Sequence, residues 1–209
     1  MFVEHIKSFN IPMVVLDNYV DSPLVARVGC DSAEGIHQAV RYLWSKGHDR
    51  IGFLGGEPDS IVTIERKQAY SDALAELGLV EDPAAVKYGC FSAKGTKKRI
   101  LEIAETGVTA VVCISDLLAC TAVKELIRAG YSVPEDISVT GYDNLPPSEY
   151  SQPPITTLSQ NRIHIGKTTF FMLQQMKNGI HIKSVMLRPE LIERESVREI
   201  CSRELPKEK

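Results

Sequence analysis

The chain has 209 residues, a formal net charge of −3 and 44% apolar side chains, which suit a soluble globular protein of one large domain or two small ones. No apolar run approaches the length needed to span a bilayer, and the start, MFVEHIKSFN, lacks the apolar core of a signal peptide. The mildly acidic, dispersed charge gives no electrostatic footprint for nucleic acid.

Strands and helices are predicted to alternate. Short β-branched runs occur at about 12–17, 25–30, 50–55, 86–90, 110–114, 137–141, 155–159 and 185–192. After the second run, Ile36, Ala39, Val40, Leu43 and Trp44 recur at helical spacing, with Gly47 as a C-terminal stop. Ala69, Ala73, Leu74 and Leu77 repeat the pattern before Gly78. Leu118, Ala122, Leu126 and Ala129 do so before Gly130, with Pro134 beyond. Strand-helix repetition implies a parallel sheet covered on both faces by helices. The regular block from about 33 to 142 holds four such units and can form one subdomain. The flanking segments 10–30 and about 160–180 do not continue the pattern and are assigned to a second one.

Cys30, Cys90, Cys113, Cys120 and Cys201 form no C-x-x-C pair and no metal spacing. Three fall in or beside apolar strands, so buried free thiols in a reducing compartment are expected. His5, His37, His48, His164 and His181 are scattered, and His48, in a turn, is expected to bond backbone. Gly52-Phe53-Leu54-Gly55-Gly56 lacks the spacing of a dinucleotide fingerprint, and neither G-x-S-x-G nor H-E-x-x-H occurs. Lys94, Lys97, Lys98 and Arg99 lack interleaved aromatics and read as a solvated face. No metal, cofactor or catalytic role is expected.

The run Val133–Gln160, VPEDISVTGYDNLPPSEYSQPPITTLSQ, is the most specific part of the chain. It resembles the effector-domain signature of the LacI/GalR family of bacterial transcription regulators. Ile11–Asp17 is similar to that family's IPVVLID strand, and Gly47–Phe53 to its GHRRIGF. Glu65–Tyr70 resembles ERLAGY, with Ala69 in place of glycine. Ile114-Ser115-Asp116 with Ala119 resembles ANDxMA. The five pieces keep the family's order and spacing.

The resemblance implies an α/β fold of the type I periplasmic-binding-protein-like class: two parallel-sheet subdomains with a ligand cleft between them. Met1–Asn10 matches the end of the family's third helix, so the headpiece, the hinge and the first strands are expected to be absent and the N-terminal subdomain incomplete. On that basis 1–31 and 157–183 are a remnant of the N-terminal subdomain, 32–156 and 184–202 the C-terminal subdomain, and 203–209 a tail. The implied function is the effector-binding and dimerisation part of a cytoplasmic regulator that binds a small polar metabolite, a sugar or sugar derivative by first choice. The implied partners are that effector, a second copy of the chain, and operator DNA reached only through the absent headpiece, with no membrane. A solute-binding protein for sugar transport shares the fold but would need export. An enzyme would need a nucleophile–base pair, and none can be picked out.

Six residues follow from the resemblance as ligand contacts: Asp17, Arg66, Phe91, Ser115, Asp143 and Gln160. Asp17 and Asp143 end apolar strands, where an Asp otherwise caps a helix or stabilises a turn; a carboxylate also accepts two hydroxyl or amine donors at once. Arg66 is otherwise a solvated arginine or a partner of Glu65 or Asp59, and as a family residue it is a fork for a hydroxyl pair or a carboxylate. Its place near a helix N-terminus opposes the macrodipole, a local misfit that favours function. Phe91 is either core or an aromatic wall for the effector. Ser115 stands where the family often has a ligand-contacting asparagine, and Gln160 where it has a wall residue. Asp116 reads as a structural N-cap or first-turn acid. Asn18 replaces a stacking aromatic of some relatives, which counts against a purine.

Overall fold

A computed structural model describes residues 9, 11–16, 22–89, 93–182 and 184–203. Two compact units emerge. The larger comprises Ser32–Ser159 and the described residues from Glu190 onward; the smaller comprises the described residues up to Asp31 together with Gln160–Pro189. The chain therefore passes between units at 31/32, 159/160 and 189/190, whereas the sequence reading placed the later divisions at 156/157 and 183/184. Backbone pairing sets these points, as the strands described next make clear.

In the larger unit the order is α1 (Ser32–Ser45), β3 (Ile51–Gly55), α2 (Ile61–Glu76), β4 (Val86–Tyr88), α3 (Ala93–Ala104), β5 (Ala110–Cys113), α4 (Asp116–Arg128), β6 (Ser138–Tyr142), the short α5 (Pro146–Tyr150), β7 (Thr156–Ser159) and β9 (Glu190–Ile192). Their sheet runs β4-β3-β5-β6-β7-β9, parallel throughout except for the antiparallel β7–β9 edge. The chain steps from β3 outward to β4 and then returns past β3 to β5. Right-handed crossovers therefore put α2 and α3 on opposite faces. In agreement, α1 packs on α2, and α3 on α4. Burial from both sides explains why β3, β5 and β6 are buried along their whole length, and why β3 and β5 read as continuous apolar runs. Tyr70 illustrates how the core admits a polar tip: its ring packs 5.1 Å from that of Phe53, and its hydroxyl donates to the Ile51 carbonyl at 2.7 Å.

The smaller unit holds β1 (Met13–Leu16), β2 (Val25–Cys30), α6 (Arg162–Lys177) and β8 (Val185–Leu187). Its three strands are parallel in the order β1-β2-β8, and its core consists of Ala26 and Val28 with Met172 and Met176 from α6. The run expected as one strand at 185–192 is thus two strands in two different sheets. Of the thiols, Cys30 and Cys113 are buried, Cys120 is half-buried, and Cys201 is exposed, contrary to the expectation of burial; Cys90 lies outside the described residues.

Two local features hold the larger unit. Gly141 on β6 faces Asp116 so closely that an added Cβ would stand 2.3 Å from Oδ1. The second is the segment after β9. Ser196 accepts the Thr156 N–H at 2.9 Å and donates to the Val139 carbonyl at 2.5 Å, and Val139 N–H returns to the Ser196 carbonyl at 2.8 Å. Farther on, His48 is fully buried with Nε2 3.1 Å from the Arg198 carbonyl and Nδ1 2.9 Å from the Thr109 hydroxyl. A carbonyl only accepts, so Nε2 carries the proton and Nδ1 accepts from Thr109.

Gly141→Ala is expected to cost about 1–3 kcal/mol, because neither the strand nor the buried carboxyl can retreat; urea unfolding measures it. Burial holds His48 below its ordinary imidazole value; the Arg198 carbonyl and the Asp49 charge pull it up, and the Arg198 and Arg203 charges push it down. A folded value below the unfolded one means that the associated stability is complete above roughly pH 6.5 and is lost as the pH falls below that. The melting midpoint of the larger unit should therefore drop between pH 7 and 5, and drop less in His48→Gln, whose amide can still donate to Arg198.

Candidate functional site

Open parallel sheets bind ligands outside the carboxyl ends of their strands, where the strand order reverses. In the larger unit the reversal lies between β3 and β5, with β6 beside them. Arg66 comes to this point from α2. It is the sixth residue of that helix, on the same inward face as Thr63, Ala69, Tyr70, Ala73 and Leu74, and it is only 5% exposed. That burial rules out the solvated arginine, and the ion pair is formed not with Glu65 or Asp59 but with Asp143. Arg66 Nη1 donates to the Ile114 carbonyl at the end of β5, and Nη2 lies 3.9 Å from Asp143 Oδ1. The guanidinium carbon sits 3.6 Å from the centroid of the Tyr142 ring. Nε is buried with no hydrogen-bond partner among the described residues.

Asp143 arrives at this position through strained backbone. Its φ is +105° and that of Asn144 is +50°, a region that residues with a Cβ seldom occupy. Such strain persists only where the surroundings over-determine it, and it gathers at functional sites. Several groups hold the turn. Asp143 N–H donates to the Leu158 carbonyl at 2.8 Å. Arg194 Nη2 donates to Asn144 Oδ1 at 2.7 Å, and its Nη1 to the Ile155 carbonyl at 2.7 Å. Leu145 N–H donates to Asp116 Oδ2 at 2.6 Å, and the Thr157 hydroxyl to Asp116 Oδ1 at 2.6 Å. Burial holds the Asp116 carboxyl above the usual carboxylate range, against the pull of the bonds from Thr157, Leu145 and Ser148 and of the Arg194 charge.

Of the six expected contacts, Arg66 and Asp143 are brought together. Ser115 lies next to Ile114, but its hydroxyl accepts the Leu118 N–H at 3.3 Å and serves as the N-cap of α4. Asp116 is accordingly the first helical residue, and its side chain bonds across to the β6–α5 turn and β7 rather than capping its own helix. Gln160 is half-buried and opens the smaller unit. Asp17, Asn18 and Phe91 lie outside the described residues. Sequence reasoning missed Tyr142, Asn144 and Arg194. Tyr142 looks like one more apolar strand position, and no sequence pattern announces that a ring there lies against a cation from another helix.

The chemistry open to this arrangement is recognition. A buried fork donates and a carboxylate 3.9 Å away accepts, so the pair matches the two faces of a hydroxyl. Two thiols, Cys113 and Cys120, are poorly suited to attack, since burial pushes Cys113 far up and Cys120 up to about 11, which leaves both protonated at neutral pH. Among the described residues no three His, Cys, Asp or Glu side chains converge as a metal site, and no helix is long and apolar enough to cross a membrane.

The periplasmic binding protein-like domain family matches residues 40–197. The HTH-type transcriptional repressor PurR of Aliivibrio salmonicida is 34% identical over 199 residues, covering 93% of this chain and 60% of that protein. The chain thus spans about 60% of the length of that curated relative. Among solved structures, the Escherichia coli transcriptional repressor ascG superposes with a TM-score of 0.83 at 27% identity, covering 94% of this chain and 74% of that one. A LacI family transcriptional regulator from Enterococcus faecium, solved with bound ribose, gives 0.84 at 26% identity, covering 95% and 75%. The parallel sheets and these matches agree: the chain belongs to the periplasmic binding protein-like domain family and resembles the form of it found in LacI-type transcription regulators.

Proposed function

We propose that the chain is the effector-binding part of a cytoplasmic LacI-type regulator and that its effector is a small, uncharged, hydroxyl-rich metabolite gripped by Arg66 and Asp143. The observation that carries this reading is the pairing itself. A nearly buried guanidinium and a carboxylate on strained backbone stand 3.9 Å apart, too far for a direct hydrogen bond. A hydroxyl fits between them as acceptor to one and donor to the other, whereas an anion would meet the Asp143 charge at close range. The bound ribose of the Enterococcus faecium regulator supports a sugar as the first class to try. Asp17, Phe91, Ser115 and Gln160 join the contacts in this reading, Ser115 through its backbone, because its hydroxyl already caps α4. In the full-length protein, effector binding would bias the affinity for operator DNA, and a second copy of the chain would supply the other half of a symmetric reader. No bond of the effector is broken.

The test is a thermal melt against ribose, other sugars, sugar phosphates, nucleosides and amino acids. A compound that binds only the folded state stabilises it by about 2.7 kcal/mol at a hundredfold excess over its dissociation constant, and one sugar or sugar-like compound is expected to do so. Asp143→Ala should abolish that shift while the larger unit still melts cooperatively. A shift that survives in Asp143→Ala places the ligand elsewhere, and turnover of the compound by the purified chain rejects the regulator.

A further inference from the structure

A guanidinium that is only 5% exposed is costly unless something other than water offsets its charge. The Ile114 carbonyl, which accepts from Nη1, and Asp143 at 3.9 Å are two such groups. The Tyr142 ring is a third, with the guanidinium carbon 3.6 Å from its centroid. A desolvated cation over an aromatic face gains more than an exposed one. Stacking also fixes the plane of the fork and leaves its edge free for in-plane hydrogen bonds.

The ring is itself held by a gap on α1. A Cβ added at Gly35 would stand 2.5 Å from the Tyr142 hydroxyl oxygen, 2.6 Å from Cε2 and 2.9 Å from Cζ. Those distances leave no room for a side chain, so the ring reaches its depth only because residue 35 has none. Tyr142 is fully buried and immediately precedes Asp143. Two consecutive residues of β6 and its exit thus meet one guanidinium, the first with a ring face and the second with a carboxylate.

We propose that Tyr142 and Gly35 are positioning residues of the ligand site: the ring is the platform that sets the plane and depth of Arg66, and Gly35 sets the depth of the ring. The inference rests on the reading of Arg66 and Asp143 as that site. It adds a reason for affinity, since a fork already ordered before the ligand arrives loses little freedom on binding. An ordinary core role for Tyr142 would need only apolar volume, which leucine supplies, and would not depend on a π face.

The experiment is a proton–nitrogen NMR spectrum of the full chain, with the Arg66 Nε–H signal identified by its loss in Arg66→Lys. The ring face should displace this signal upfield in the natural chain and in Tyr142→Phe, release it in Tyr142→Leu, and shift it in Gly35→Ala. Backbone amide signals in the same spectra report whether each variant is folded. A natural-chain signal at the position of a free arginine overturns the platform without any variant, as does an unmoved signal in a folded Tyr142→Leu. The compound selected by the melt, or ribose, is then titrated against the same signals. Binding about tenfold weaker in Tyr142→Leu, and near normal in Tyr142→Phe, is expected. If the upfield signal behaves as stated but no compound moves it, the platform stands as the anchor of Arg66 and only the ligand reading fails.

Discussion

The geometry of the candidate site depends on one buried carboxyl. Asp116 accepts the Leu145 N–H and the Thr157 hydroxyl, both at 2.6 Å, and so joins the first turn of α4 to the chain on either side of α5. Between these anchors the backbone must cross from β6 to α5, and it does so with positive φ at Asp143 and Asn144. Left alone, such a turn would relax. Arg194, the Leu158 carbonyl and Asp116 hold it in that conformation. The absence of a side chain at Gly141 is part of the same arrangement, since it is what lets Asp116 approach the strand. The carboxylate that meets Arg66 is therefore held in place by a second carboxylate that touches no ligand in any reading offered above.

Much of the larger unit was legible because burial on two faces writes itself into the sequence. β3 and β5 are uninterrupted apolar runs, and α1 and α4 carry clean stripes ending at Gly47 and Gly130. The smaller unit was less legible for the opposite reason. Helix α6, RIHIGKTTFFMLQQMK, spreads its apolar residues around the axis, with Phe170 and Phe171 exposed and only Met172 and Met176 buried, so no stripe points to a partner. The 185–192 run failed differently. β-propensity gives strands but not the sheets they enter, and β8 and β9 diverge within two residues, Arg188 and Pro189.

The site divides in the same way. Arg66 and Asp143 are polar residues where an apolar pattern was due, and a local misfit is the feature a sequence displays most openly. Tyr142 and Gly35 fit their elements so well that nothing marks them out. Ser115 is the instructive middle case. Its position was anticipated, but the demand of a helix N-terminus for a side-chain acceptor claims its hydroxyl. Which of two plausible partners a short polar side chain takes is settled by a few tenths of an ångström, and a string of letters does not hold that information.

The return of the chain at Glu190 has a consequence for biosynthesis. The larger sheet is built in order from β3 to β7, yet the neighbour of β7 is β9, which follows the whole of α6 and β8. Until residues 190–203 leave the ribosome, β7 is a bare edge and Thr156 N–H, Val139 N–H and the His48 ring lack the partners that Ser196 and Arg198 later supply. An unpaired strand edge is a template for association between nascent chains. Residues 190–203 therefore act as a seal on that edge, and between the synthesis of β7 and of β9 the edge is open to pairing with another chain.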